Sequence, residues 1–123
     1  MESLLEIART KEGDYYFRIV GADGQILARS EDFETLAVCK RFVGAVRESI
    51  RAPIFEADGE GVWTGHAVYE VFVQEEKYTF LLKGDYGQVL IRGSRFDTMR
   101  ACRAAISAML KTDFDSETEY EVC

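Results

Sequence analysis

His66 is the only histidine in the 123-residue chain, so any Ser-His or Cys-His nucleophile pair would have to be built around it. Cys39, Cys102 and Cys123 include no close pair, which gives neither the ligand spacing of a zinc ribbon nor a disulfide framework. The carboxylate pairs Glu31/Asp32 and Glu75/Glu76 are adjacent in expected loops, where nothing strips water from them to tune a catalytic pKa. Gly21-x-x-Gly24 and Gly59-x-Gly61 lack the lysine and the strand-to-helix setting of a phosphate loop, and read as turns. The expectation is a non-enzymatic protein with no catalytic, cofactor-binding or metal-binding residues.

The elements that would position any site are visible in a doubled passage. Tyr15 to Arg47 superimposes on Tyr78 to Leu110 at an offset of 63 without a gap, with 11 identities in 33 positions. Within each copy the hydrophobic period changes from 2 to about 3.6, strands followed by a helix. Tyr15, Phe17 and Ile19 alternate with Tyr16, Arg18 and Val20, and Ile26 and Ala28 alternate with Gln25, Leu27 and Arg29. Gly21-Ala22-Asp23-Gly24 and Gly84-Asp85-Tyr86-Gly87 supply the hairpin turns between these strands. Upstream, Leu5-Glu6-Ile7-Ala8 resembles Tyr69-Glu70-Val71-Phe72 at an offset of 64, a third strand for each copy, with turns at Lys11-Glu12-Gly13-Asp14 and Gln74-Glu75-Glu76-Lys77. Downstream, Leu36, Cys39, Val43, Val46 and Ile50 line one face of a helix, matched by Met99, Cys102, Ile106 and Met109. Thr35 and Thr98 stand where N-caps belong, and Cys39 and Cys102 read as small buried apolar residues.

These features predict one domain over 1–123: repeat one 3–57, linker 58–65, repeat two 66–112 and an acidic tail 113–123. The fold class is α+β, two tandem β3α repeats forming one antiparallel six-stranded sheet with two helices on one face and pseudo-twofold symmetry. Trp63 is expected to pack the linker on the core. The tail alternates Phe114, Ser116, Thr118, Tyr120 and Val122 with five acids, a strand pattern that could add at a sheet edge, against which five like charges favour disorder.

Hydrophobic residues make up 47% and charged residues 30%, an ordinary globular balance, and no apolar run approaches the ~20 residues of a membrane span. The opening Met1-Glu2-Ser3-Leu4-Leu5-Glu6 lacks the basic and apolar regions of a secretory signal, so a cytoplasmic protein is expected. Of the net charge of −7, Asp113, Asp115, Glu117, Glu119 and Glu121 supply five, leaving a nearly neutral body. Duplex nucleic acid, which needs a basic face, is disfavoured as a partner.

The run Gly24-Gln25-Ile26-Leu27 with Ser30-Glu31-Asp32-Phe33, repeated as Gly87-Gln88-Val89-Leu90 with Phe96, resembles the YegP-like family, small proteins built on a domain of unknown function. The second copy departs from the pattern at Gly93-Ser94-Arg95. The resemblance implies β3α units sharing one continuous antiparallel sheet with their helices exchanged. It also implies a monomer, since the internal duplication supplies the half that a single-unit protein gains by dimerising. It implies no activity, cofactor or partner.

Two helices can cover only one face of such a sheet, so the alternate residues point outward. The candidate interaction surface is Tyr16, Arg18, Gln25, Leu27, Arg29, Phe72, Leu81, Gln88, Leu90 and Arg92, a mix of apolar, aromatic and arginine residues suited to a protein or peptide partner. The alternatives are a binder of single-stranded nucleic acid, stacking bases on Tyr16 and Phe72, a small-ligand binder on the same face, or an enzyme with an unrecognised groove. On an ordinary solvated sheet, Glu6, Arg29, Glu70 and Arg92 would instead form cross-strand ion pairs.

Overall fold

The computed structural model describes residues 2–56 and 65–121, the last seven of these by their backbone. The elements run β1 (Ser3–Arg9), β2 (Tyr15–Val20), β3 (Ile26–Arg29), α1 (Leu36–Ser49), β4 (Ile54–Glu56), β5 (Val68–Gln74), β6 (Lys77–Lys83), β7 (Val89–Gly93), α2 (Met99–Met109) and β8 (Thr112–Glu121). The class is α+β, with two helices and a large, mostly antiparallel sheet. Trp63, most of the connector, Val122 and Cys123 lie outside the described residues.

The sheet has eight strands in the order β4-β5-β6-β7-β3-β2-β1-β8, which corrects the six expected. The two additional strands are the segments that leave the helices, and both pair in parallel, β4 on β5 and β8 on β1. Strands β1 and β5 would otherwise present a free row of N–H and C=O groups, and an extended segment arriving from a helix end satisfies them. The three residues Ile54-Phe55-Glu56 are too few to show a period, which is why β4 left no trace in the sequence pattern.

Thr35 and Thr98 cap the helices as their positions suggest, their side-chain oxygens accepting from Val38 N (3.2 Å) and Ala101 N (3.0 Å). The core lies between the helices and one sheet face. Leu5, Ile7, Phe17 and Ile19 from the first half and Tyr69, Val71, Phe80 and Leu82 from the second meet Cys39, Val46, Cys102, Ile106 and Met109. Helix α1 packs on β2, β6 and β7, and α2 on β6 and β3, so each straddles the middle of the sheet.

The helix ends are tied down by side chains distant in sequence. The Tyr69 hydroxyl donates to the Ile50 carbonyl at 2.8 Å, and the Ser3 hydroxyl to the Ala108 carbonyl at 3.0 Å. The first closes a carbonyl at the end of α1, and the second adds a donor to the Ala108 carbonyl, which also accepts from Lys111 N at 3.1 Å. Gly93 has its own reason to lack a side chain: a Cβ there would lie 2.3 Å from the Phe80 ring. Cys39 and Cys102 are buried thiols outside any disulfide.

Candidate functional site

Strand register assembles the site. Glu6 pairs with Arg18, Arg18 with Arg29, Arg29 with Arg92, Arg92 with Leu81 and Leu81 with Glu70, one row across six strands. Directly paired residues point to the same side of a sheet, so the row occupies one face, opposite the helices. At its centre stand three arginines on consecutive strands, β2, β3 and β7.

Two β-bulges decide what surrounds that centre. Arg18 and Ile19 pair with Arg29 and Ala28, but Val20 then pairs with Ile26, leaving Leu27 as an additional residue; Leu82/Lys83 against Ile91/Val89 repeats the irregularity at Leu90. An inserted residue reverses the alternation beyond it. Leu27 and Leu90 therefore join the helix-side core, at 5% and 2% exposure, while Ile26 turns out to 41%. This corrects the expectation that Leu27 and Leu90 line an outward surface, because strict alternation does not survive the bulge.

Other expected surface residues are buried as well. Tyr16, Phe72 and Leu81 are covered, and Tyr16 lies beneath the Arg29 guanidinium, whose carbon sits 3.9 Å from the ring centroid. Glu70 and Lys83 form a buried ion pair at 2.9 Å on this same face, and Glu6 and Arg18 a half-buried one at the same distance. Cross-strand ion pairs therefore exist on the outward face, with Arg18 and Lys83 as the bases. The exposed expected residues are Gln25, Arg29, Gln88 and Arg92, with Arg18 half-buried. Gln88 serves its turn, its Oε1 accepting from Tyr86 N at 3.0 Å.

What remains accessible is a cleft of about 420 Å³ between β3 and β7, whose lining includes Ile26, Arg29, Glu31, Val89, Arg92 and Ser94. Arg29 is held in place by the Asp32 carboxylate at 2.8 Å and by the Ser30 carbonyl at 3.2 Å. The sequence pattern had turned Ile26 and Val89 inward, and it gave Ser94 no role. The signal for Ile26 and Val89 would have been the Gln-Ile-Leu and Gln-Val-Leu runs, in which two successive aliphatic residues cannot both obey alternation. The Ser94 hydroxyl donates to the Ile26 carbonyl at 2.7 Å and fixes the rim.

Elsewhere, exposed His66 places Nδ1 3.0 Å from the adjacent Ala67 carbonyl. Burial pushes the Cys102 thiol up to about 11, the reverse of what activates a nucleophile. No helix among the described residues is long and apolar enough to cross a membrane.

Residues 11–56 match the family model described as a domain of unknown function, DUF1508. No curated protein matches the chain by sequence. Among solved structures, the chain is similar to the protein of unknown function yegP from E. coli, with a TM-score of 0.71 and 16% identity, over 98% of this chain and 93% of that one. It is also similar to a UPF0339 protein from Shewanella oneidensis, with a TM-score of 0.74 and 14% identity, over 98% and 92%. At such identities the likeness speaks for the fold. The chain thus has the fold of the yegP structures over nearly its whole length, and its first half carries the match to DUF1508.

Proposed function

We propose that the chain is a non-enzymatic protein- or peptide-binding module that works through the outward face of its sheet, at the cleft between β3 and β7. The observation that carries this is the exposed aliphatic Ile26 and the partly exposed Val89 beside Arg29 and Arg92, apolar area and directional donors in one concavity. Burial of Tyr16 and Phe72 counts against single-stranded nucleic acid, which would need both rings as stacking platforms. The non-enzymatic part rests on the local engagement of His66 and the raised thiol of Cys102.

The reading includes an internal duplication. Its support is the paired Thr35 and Thr98 caps, the matching bridges Tyr15 to Phe33 and Tyr78 to Phe96, and the bulges at Leu27 and Leu90. Arg29 and Arg92 are equivalent in the doubled passage and paired in space, so a pseudo-twofold axis would run between them. Exchanged helices fit the anchoring of α1 by Tyr69 and of α2 by Ser3. A monomer follows from the same reading, since the duplication completes the sheet within one chain.

A photo-crosslinking amino acid placed at Ile26 should yield protein adducts in cells, while the same probe at Arg41, exposed on α1, should not. Adducts at Arg41 alone, or at neither position, would count against the outward face as the binding surface.

A further inference from the structure

The helix layer differs in charge from the rest of the molecule. In a chain of net charge −7, residues 36–51 and 99–111 hold seven lysines and arginines and one acid, Glu48. The nearly neutral body expected from the sequence is therefore an average over a basic layer and an acidic remainder. The apolar sides of the helices, Cys39, Val43 and Val46 on α1 and Cys102, Ala105, Ile106 and Met109 on α2, are spent on the core. Arg41, Arg51, Arg100 and Lys111 are exposed, and none of the four meets a carboxylate among the described residues. Arg103 is engaged by Glu56 and Arg47 lies over Phe114, so these two are not counted as available.

We infer that the helix layer, on the face of the sheet opposite the cleft, docks the phosphate backbone of a nucleic-acid duplex. Charge complementarity calls for a polyanion, and arginine's fork of donors matches phosphate oxygens. Arg41 and Arg51 are ten residues apart and Arg100 and Lys111 eleven, so at about 1.5 Å per residue each pair spans roughly 15 Å. One strand of a duplex advances ~3.4 Å per phosphate along its axis, so each pair covers about four base-pair steps.

What else the layer carries chooses among polyanions. Its one aromatic residue, Phe42, is packed on Phe33 with ring centroids 4.7 Å apart, which leaves no platform for stacking unpaired bases. Leu110 is its one strongly exposed large apolar side chain, too little to enter a lipid surface. Backbone contact to a duplex needs neither. Repulsion from the acidic remainder is confined by screening to about 10 Å at 0.1 M salt.

The test is polarisation of a short labelled DNA duplex titrated with the full chain at several salt concentrations. Saturable binding is expected at 50 mM salt, and four neutralised phosphates predict a loss of affinity of roughly a hundredfold by 200 mM. Arg41→Gln and Arg100→Gln, at exposed positions that tolerate the change in folding, should each weaken binding and reduce that loss to about fortyfold. Lys11→Gln removes the same charge from the exposed β1–β2 turn and should alter neither. Absence of saturable binding at 50 mM overturns the assignment, as does equal weakening by Lys11→Gln, which would trace the effect to net charge. Tighter binding of a single strand, of phosphatidylserine vesicles or of polyglutamate than of the duplex overturns it in favour of that polyanion. Crosslinks from Ile26 report on the opposite face, so this assignment and the outward-face reading fail independently.

Discussion

Arg29 and Arg92 face each other across the antiparallel contact of β3 and β7, the seam that joins the two halves of the sheet. Arg29 is stacked on Tyr16 and bonded to Asp32. Replacing Arg29 by Gln should cost roughly 0.5–1 kcal/mol, since a half-exposed pair and a partly exposed cation–π contact are both modest. Urea denaturation compared with Arg29→Lys checks it; a lysine variant as unstable as the glutamine one would assign no value to the remaining charge.

The bulge makes a sharp distinction between neighbours. Leu27→Ala should destabilise by about 2–4 kcal/mol as a core truncation, whereas Ile26→Ala should cost under about 1 kcal/mol. Thermal or urea midpoints of the two variants decide it, and a reversed order would mean that alternation runs unbroken through β3.

Tyr69→Phe removes the hydroxyl that closes the Ile50 carbonyl, leaving a buried acceptor unmet. The expected loss is about 1–2 kcal/mol. Unchanged stability in equilibrium unfolding would mean that the end of α1 is satisfied by other means.

Glu75 and Glu76 form a two-residue hairpin turn with φ of +51° and +67°, a left-handed pair disfavoured for side chains. Glu76→Gly should raise stability by about 0.5–1 kcal/mol, the relief of strain exceeding glycine's greater freedom in the unfolded chain. Calorimetry would show a higher Tm; a lower one would point to a contact that Glu76 makes through its side chain.

Burial, opposed by the nearby Arg103 charge, raises the Cys102 thiol from an ordinary value of 9.0 to about 11. The folded state thus keeps its proton where the unfolded chain has lost it. This contribution is fully present below about pH 9 and is lost as pH rises toward 11, on the order of 2 kcal/mol. Burial raises the Tyr69 hydroxyl as well, and it acts in the same direction at still higher pH. Urea midpoints should fall across this window, and fall less in Cys102→Ala; equal slopes would dissociate the thiol from the alkaline loss.

Much of the framework was legible because it is written in local physics. Thr35 and Thr98 mark helix starts, the glycine turns mark hairpins, and a period near 3.6 put Cys39, Val43 and Val46 on one helical face, all of which depend on neighbours close in the chain. The site was less legible. Leu27 and Ile26 exchange faces because of a register shift that exists only once β3 is hydrogen-bonded to β2, and Tyr16 loses its exposure to the guanidinium of Arg29.

By itself the sequence determined two helices, the hairpins, the apolar stripe each element buries and the doubling of the passage, since period and turn chemistry act over a few residues. Only the tertiary structure decided that β4 and β8 extend the sheet to eight strands and that Arg18, Arg29 and Arg92 form one row. It alone turned Ile26 to solvent in place of Leu27. Pairing register and edge hydrogen bonds join residues far apart in the chain, and no local pattern encodes where those partners meet.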